Sequence, residues 1–169
     1  GDGLFFAELR CFGDPYGIEP AAEALTPGGP WRDRIHAGRL DASYQPAHKF
    51  GLVLALDVIE HVADPHAFLE HVHRVLEPGG WFIATVPAFR ALWTAHDDLN
   101  QHVTRYRRHE FAGLVAGHGL EVVHSRYFFV LLAGVKLLVR ALERLHRPHL
   151  RRPGVPVAPV NAALELACR

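Results

Sequence analysis

Apolar residues follow two different rhythms along this chain. Phe5, Phe6 and Leu9 fall at helical spacing from Leu4 until Gly13 and Pro15 interrupt them, which predicts a short first helix. YGIEP follows, a brief apolar stretch ending in Glu19 and Pro20, and reads as a buried strand. Residues 21–33 carry the loop signal TPGGP, and RIHAGRL at 34–40 reads as a further strand. FGLVLALD at 50–57 is a continuous run rich in Val and Leu, suited to a parallel strand covered on both faces. Asp64 and Pro65 then supply a helix N-cap and a first-turn proline. Phe68, Leu69, Val72, Val75 and Leu76 make one stripe along that helix. Pro78-Gly79-Gly80 closes it, and WFIATVP at 81–87 is the next buried strand.

Strand, helix and strand joined by short turns form a crossover unit. Its repetition predicts an α/β fold: a Rossmann-like, doubly wound and mostly parallel sheet with helices on both faces. The polar segment 88–108 carries HDDLNQHVTRYRR. Beyond it Phe111, Leu114 and Val115 mark a helix closed by Gly119, and LEVVHSRYF at 120–128 reads as another strand. Residues 129–147 predict a long amphipathic helix. Lys136, Arg140, Glu143, Arg144 and Arg147 share one face, opposite Leu131, Leu132, Val135, Leu138, Val139, Leu142 and Leu145. Its longest apolar run, Tyr127 to Val135, falls far short of the roughly 20 residues that a membrane span needs. Such a helix suits packing on a sheet or lying on a lipid surface. Residues 1–128 therefore form the domain proper, with 129–169 as its helical and proline-punctuated extension.

Composition narrows the partners. Eighteen basic residues balance eighteen acidic ones, and no run of like charge forms a polybasic arm, so nucleic acid is not expected as a partner. Cys11 and Cys168 belong to no C-x-x-C pair, which argues against a zinc ribbon or disulfide scaffold and suits a reducing cytosol. A cytoplasmic location is the expectation, with peripheral membrane contact through 129–147 as its variant. Oligomeric state has no signature in the sequence.

GDG, GIEP, LDAS, LALDVIEHVADP and LEPGGWFIATVP resemble, in this order, the motif series of class I S-adenosylmethionine-dependent methyltransferases. The bacterial group that includes the ubiquinone-biosynthesis O-methyltransferases is the nearest in appearance. The resemblance covers roughly residues 1–130. It implies that Gly1 and Gly3 are the second and third glycines of the cofactor turn, with the first and last familial strands missing. It also implies roles at the carboxyl ends of the strands. Glu19 with Pro20 would take the ribose hydroxyls, Asp41 and Ala42 the adenine, and Leu56 with Asp57 the amino-acid end of S-adenosylmethionine.

A glycine turn lets backbone approach a ligand closely, and a carboxylate at a strand end can accept both ribose hydroxyls. The same acid would serve a nicotinamide dinucleotide, so an NAD-dependent oxidoreductase stays open as an alternative. A non-catalytic module docking on membrane or partner is the other. Glu60 and His61 suit either active-site lining or exposed helix-entry charge. In the polar segment, His96 and His102 are candidate general bases. His61, Asp97, Arg105 and Tyr106 are candidate contacts to a small-molecule or lipid-like acceptor. The spacing of His96, Asp97 and His102 matches no familiar ligand pattern, so no metal is expected.

Overall fold

The computed structural model describes residues 2–128 together with 134, 135, 137, 138 and 141. Most of the helix expected at 129–147, including its basic face, lies outside the described residues, as do the tail and Gly1. Valine 135 and leucines 137 and 138 are helical and exposed. No helix among the described residues is long and apolar enough to cross a membrane.

The chain begins with α1 (Phe6–Leu9), a single turn that buries Phe6 against Leu25 and Ile35, with Trp31 packed edge-on at 5.6 Å between ring centroids. Strands β1 (Gly17–Glu19) and β2 (Ile35–Ala37) pair in parallel. Strand β3 (Phe50–Leu56), helix α2 (Pro65–Val75) and strand β4 (Leu76–Thr85) follow, and β3 and β4 also pair in parallel. Two further helices, α3 (Ala95–Leu99) and α4 (Arg108–Ala116), follow β4, and short 3-10 turns lie between several of these elements.

Helix α2 forms as the sequence predicts. The Asp64 side chain accepts from the amides of His66 and Ala67, both at 3.1 Å, and Pro65 occupies the first turn. Leu69, Val72 and Val75 are buried on the expected stripe. The helix stops at Val75 rather than at the glycines, because Leu76 is already extended and opposes Phe50. Glu77 to Gly80 then bulge before the ladder resumes at Leu52 and Trp81.

The core lies on one face of β3 and β4. Ala55, Ile59 and Tyr106 are its buried members, with Phe68, Phe82, Phe111 and Leu114 packed around them. The opposite face is open: Leu52, Leu56, Trp81 and Ile83 are exposed, so β3 is not covered on both sides.

The four strands form two separate two-stranded sheets rather than one continuous sheet. Tyr16, just before β1, packs against Phe50 at the start of β3, with centroids 5.9 Å apart. Arg74 of α2 donates to the carbonyls of Asp41 and Tyr44 at 2.8 and 3.0 Å, which pins the loop after β2 to the second sheet. The strand expected at 120–128 is not formed. A side chain fastens that segment: the Tyr127 ring stacks on Phe89 at 4.9 Å, and its hydroxyl accepts from the Arg108 amide at 3.1 Å.

Candidate functional site

Each strand delivers a polar residue as it ends. At the end of β1, half-buried Glu19 accepts from the Ala21 amide at 2.8 Å, which turns the carboxylate over the loop that follows. Beyond β2, Asp41 accepts from both the hydroxyl and the amide of Ser43, at 2.6 and 2.8 Å. These bonds, the hydroxyl's first, hold its carboxyl below the usual value. Pro20 and Ala42 are exposed beside these two acids. Near the chain start, buried Gly3 adopts φ +76°, and a Cβ there would lie 3.0 Å from Trp31, so only glycine fits this turn without strain.

Beyond β3 the turn is tighter. Asp57 has φ 52°, its amide donates to the Thr85 hydroxyl at 3.0 Å, and that hydroxyl donates to Asp57 Oδ1 at 3.0 Å. The ends of β3 and β4 are thereby laced together. This redirection sends Ile59 into the core, buries Glu60 and leaves His61 exposed. Glu60 is 1% exposed, and its Oε2 has no hydrogen-bond partner among the described residues. Burial, aided by the nearby Asp57 charge, raises its carboxyl to about 7.

Residues 88–106 fold over this point as a cover segment. Its neck is closed, because the Phe89 amide donates to the Tyr106 carbonyl and the Tyr106 amide to that of Pro87, each at 3.1 Å. Thr94 and Asp97 form a reciprocal capping box at the start of α3. Asp97 is fully buried and accepts from the Thr94 amide at 2.8 Å, from Arg105 Nε at 2.8 Å and from His102 Nδ1 at 2.8 Å. Burial alone would raise its carboxyl, but bonds from Thr94, Arg105 and His102 outweigh that and hold it at about 2. A 2.7 Å bond from the Val103 amide to the Glu60 carbonyl fastens the cover segment to the β3 turn.

The sequence candidates thus separate. His61 and His102 meet, ring centroids 4.8 Å apart and nearly perpendicular. Asp97 and Arg105 are brought to the site too, but buried behind His102 and bonded to each other. Tyr106 joins the core, and its buried hydroxyl has no partner among the described residues. His96 lies on the exposed face of α3, its Nε2 bonded to Asn100 Nδ2 at 2.9 Å, and does not reach the cluster. Leu56 and Asp57 are exposed at the strand mouth. Glu60 is the member that periodicity concealed: it is a buried acid, not an exposed helix-entry charge. A shallow cleft of about 330 Å³, lined by Arg90, Trp93, Val103 and Thr104, opens beside His102. Trp93 stands edge-on to the His102 ring at 6.5 Å.

Parallel strands carrying polar groups at their carboxyl ends, under a polar cover segment, are the arrangement of an α/β ligand-binding enzyme domain. The chain belongs to the methyltransferase domain family, which matches residues 1–125. Among curated proteins it is similar to the ubiquinone biosynthesis O-methyltransferase of Bradyrhizobium sp. (strain ORS 278), 32% identical over 79 residues, 41% of this chain and 29% of that protein. The protein of the same name from Caulobacter vibrioides is 43% identical over 58 residues, covering 28% of this chain and 23% of its own length. That of Parvibaculum lavamentivorans is 55% identical over 38 residues, covering 22% and 15%. The matched stretches span between 15% and 35% of the curated relatives' length.

Proposed function

We propose that this chain carries the cofactor-binding and acceptor-facing part of an S-adenosylmethionine-dependent methyltransferase that modifies a hydroxyl of a small molecule. The two parallel pairs are read as parts of one doubly wound sheet. The observation that carries the proposal is the convergence of Asp57, Glu60 and His61, at the carboxyl end of β3, with His102 from the cover segment. The names of the relatives, all O-methyltransferases of ubiquinone biosynthesis, support oxygen as the acceptor atom.

The residues present fit the cofactor. Gly3 provides a turn whose left-handed backbone excludes a side chain, and Glu19 provides a carboxylate at the end of β1. Gly3 would face the amino-acid part with Leu56 and Asp57, Glu19 and Pro20 the ribose, and Asp41 and Ala42 the adenine. When bound, S-adenosylmethionine supplies a methyl group on a sulfonium, so reactive that alignment and control of the acceptor's proton are what remains to the protein. Alignment falls to the cleft between Arg90 and Trp93, which suits a flat molecule with an anionic or phenolic edge. Proton control falls to the cluster of Glu60, His61 and His102. His102 is oriented from behind by Asp97, which Arg105 and Thr94 keep ionised.

Isothermal titration of the protein with S-adenosylhomocysteine and with NAD tests this reading. Binding of S-adenosylhomocysteine, weakened in Glu19→Ala, is the expected result. Binding of NAD alone would replace the methyltransferase with an oxidoreductase.

A further inference from the structure

A second cavity, of about 370 Å³, is walled by the starts of three strands and by the loop that leads into β3. Tyr16 precedes β1, Arg34 precedes β2 and Phe50 opens β3, so it stands toward the amino ends of the strands. Glu19, Asp41 and Asp57, to which cofactor contacts are assigned, stand at or beyond the carboxyl ends. The lining is rich in rings. Tyr16, His48 and Phe50 contact one another with centroids between 5.2 and 5.9 Å apart, and His36 meets Tyr44 at 5.0 Å. The Arg34 guanidinium lies 5.3 Å from the centre of the Tyr16 ring.

The polar groups of these rings are unused by the protein. The side chains of Tyr16, His36, Tyr44 and His48 make no hydrogen bond to another described residue. Arg34 pairs with Asp14 at 3.3 Å, yet its buried Nη1 completes no hydrogen bond among the described residues. Other bonds fix the walls. Arg74 donates to the carbonyls of Asp41 and Tyr44, Gln45 Nε2 to that of Ala42 at 3.0 Å, and Arg32 Nη1 to that of Ile35 at 2.9 Å. A preformed cavity with aromatic surface and spare polar groups has the composition of a small-molecule site.

We propose that this cavity binds a planar, uncharged heterocycle with an imide edge, of the pyrimidine or flavin ring type. Within the lining Arg34 and Asp33 balance in charge, which favours a neutral ligand over an ion. The same two residues offer a donor and an acceptor, the complement of an imide's carbonyl and N–H. The tyrosine, histidine and phenylalanine rings supply the surface for stacking. Binding here does not depend on the methyltransferase reading.

Riboflavin, whose fluorescence is quenched where its ring stacks on tyrosine, is the probe that tests the site. Saturable quenching by one equivalent of protein is expected, unaltered by excess S-adenosylhomocysteine and unaltered in Glu19→Ala. Riboflavin methylated at the imide nitrogen should bind about tenfold or more weakly, because the acceptor meant for the N–H is left unpaired. Asp33→Asn and His48→Ala should each weaken riboflavin binding, and both residues are exposed, so these variants should fold as the parent does. Absence of saturable quenching, equal affinity for the methylated ring, or unchanged affinity in both variants overturns the proposal. So does displacement by S-adenosylhomocysteine, which would place the ring in the cofactor site.

Discussion

Arg105 Nη2 lies 2.7 Å from Asp97 Oδ1, and both side chains are almost entirely shielded from water. Arg105 also donates to the Ala88 carbonyl at 2.8 Å, so this pair ties α3 to the neck of the cover segment. Replacing Asp97 with Ala would strand a buried guanidinium and release His102 together. The expected cost is about 3–5 kcal/mol, read by urea unfolding. Conversion of Arg105 to Met should cost less than removal of the acid, since it leaves Asp97 with Thr94 and His102.

The same acid sets a response to low pH. Its carboxyl is held at about 2, below the ordinary 3.8, so it contributes stability at neutral pH. That contribution is present above about pH 4 and is lost as pH falls toward 2, where the folded form must also take up the proton. Stability measured from pH 5 to 2 should fall more steeply in the parent protein than in Asp97→Asn.

Glu60 acts with the opposite sign. Its folded value of about 7 lies above the ordinary 4.5, so the folded state keeps a proton that the unfolded chain releases. This favours folding fully below about pH 4.5, and the advantage disappears as pH rises through 7. Between those limits stability should decline by up to about 3 kcal/mol, a slope that Glu60→Gln should flatten. Thermal unfolding at intervals from pH 4.5 to 8 measures it.

Asp64→Ala removes the acceptor for two orphan amides at the start of α2. A loss of about 1 kcal/mol is expected, with no change in cofactor affinity, because the cap is distant in sequence and role from Glu19. Equilibrium unfolding and calorimetry on the same variant separate the two readouts.

Glu19→Ala should do the reverse. Only half-buried, the side chain bonds the nearby Ala21 amide, so its removal should alter stability by less than about 1 kcal/mol. Affinity for S-adenosylhomocysteine should fall about tenfold or more, as expected when a charge-assisted bond to a ligand hydroxyl is lost.

Which parts of this molecule the sequence discloses follows from the range of the forces involved. Helix α2 is legible because Asp64, Pro65 and the Leu69–Val72–Val75 stripe act within a few turns of one another. The strands β3 and β4 are legible as apolar runs, but their open face is not, since exposure depends on what else packs there. At 120–128 the pattern of Leu120, Val122 and Val123 has a strand's composition, yet no strand forms there among the described residues, and Tyr127 docks by its side chain. Gly3 and Glu19 draw attention in the sequence through the resemblance of GDG and GIEP to a known motif series. Glu60 and His102 are not recognisable as neighbours, because only folding of the cover segment brings them together. Asp97 and Arg105 stand out in HDDLNQHVTRYRR as candidate acceptor contacts, but their burial against each other behind His102 depends on how the whole segment folds and is not legible there.

The closed neck at Pro87, Ala88, Phe89 and Tyr106 separates the interior of the cover segment from the sheet below. The tip around Asn100 and Gln101 is tied at a second point as well, where the Val103 amide holds the Glu60 carbonyl at 2.7 Å. An insertion at the tip would therefore be felt at the turn after β3 and not in the loop alone.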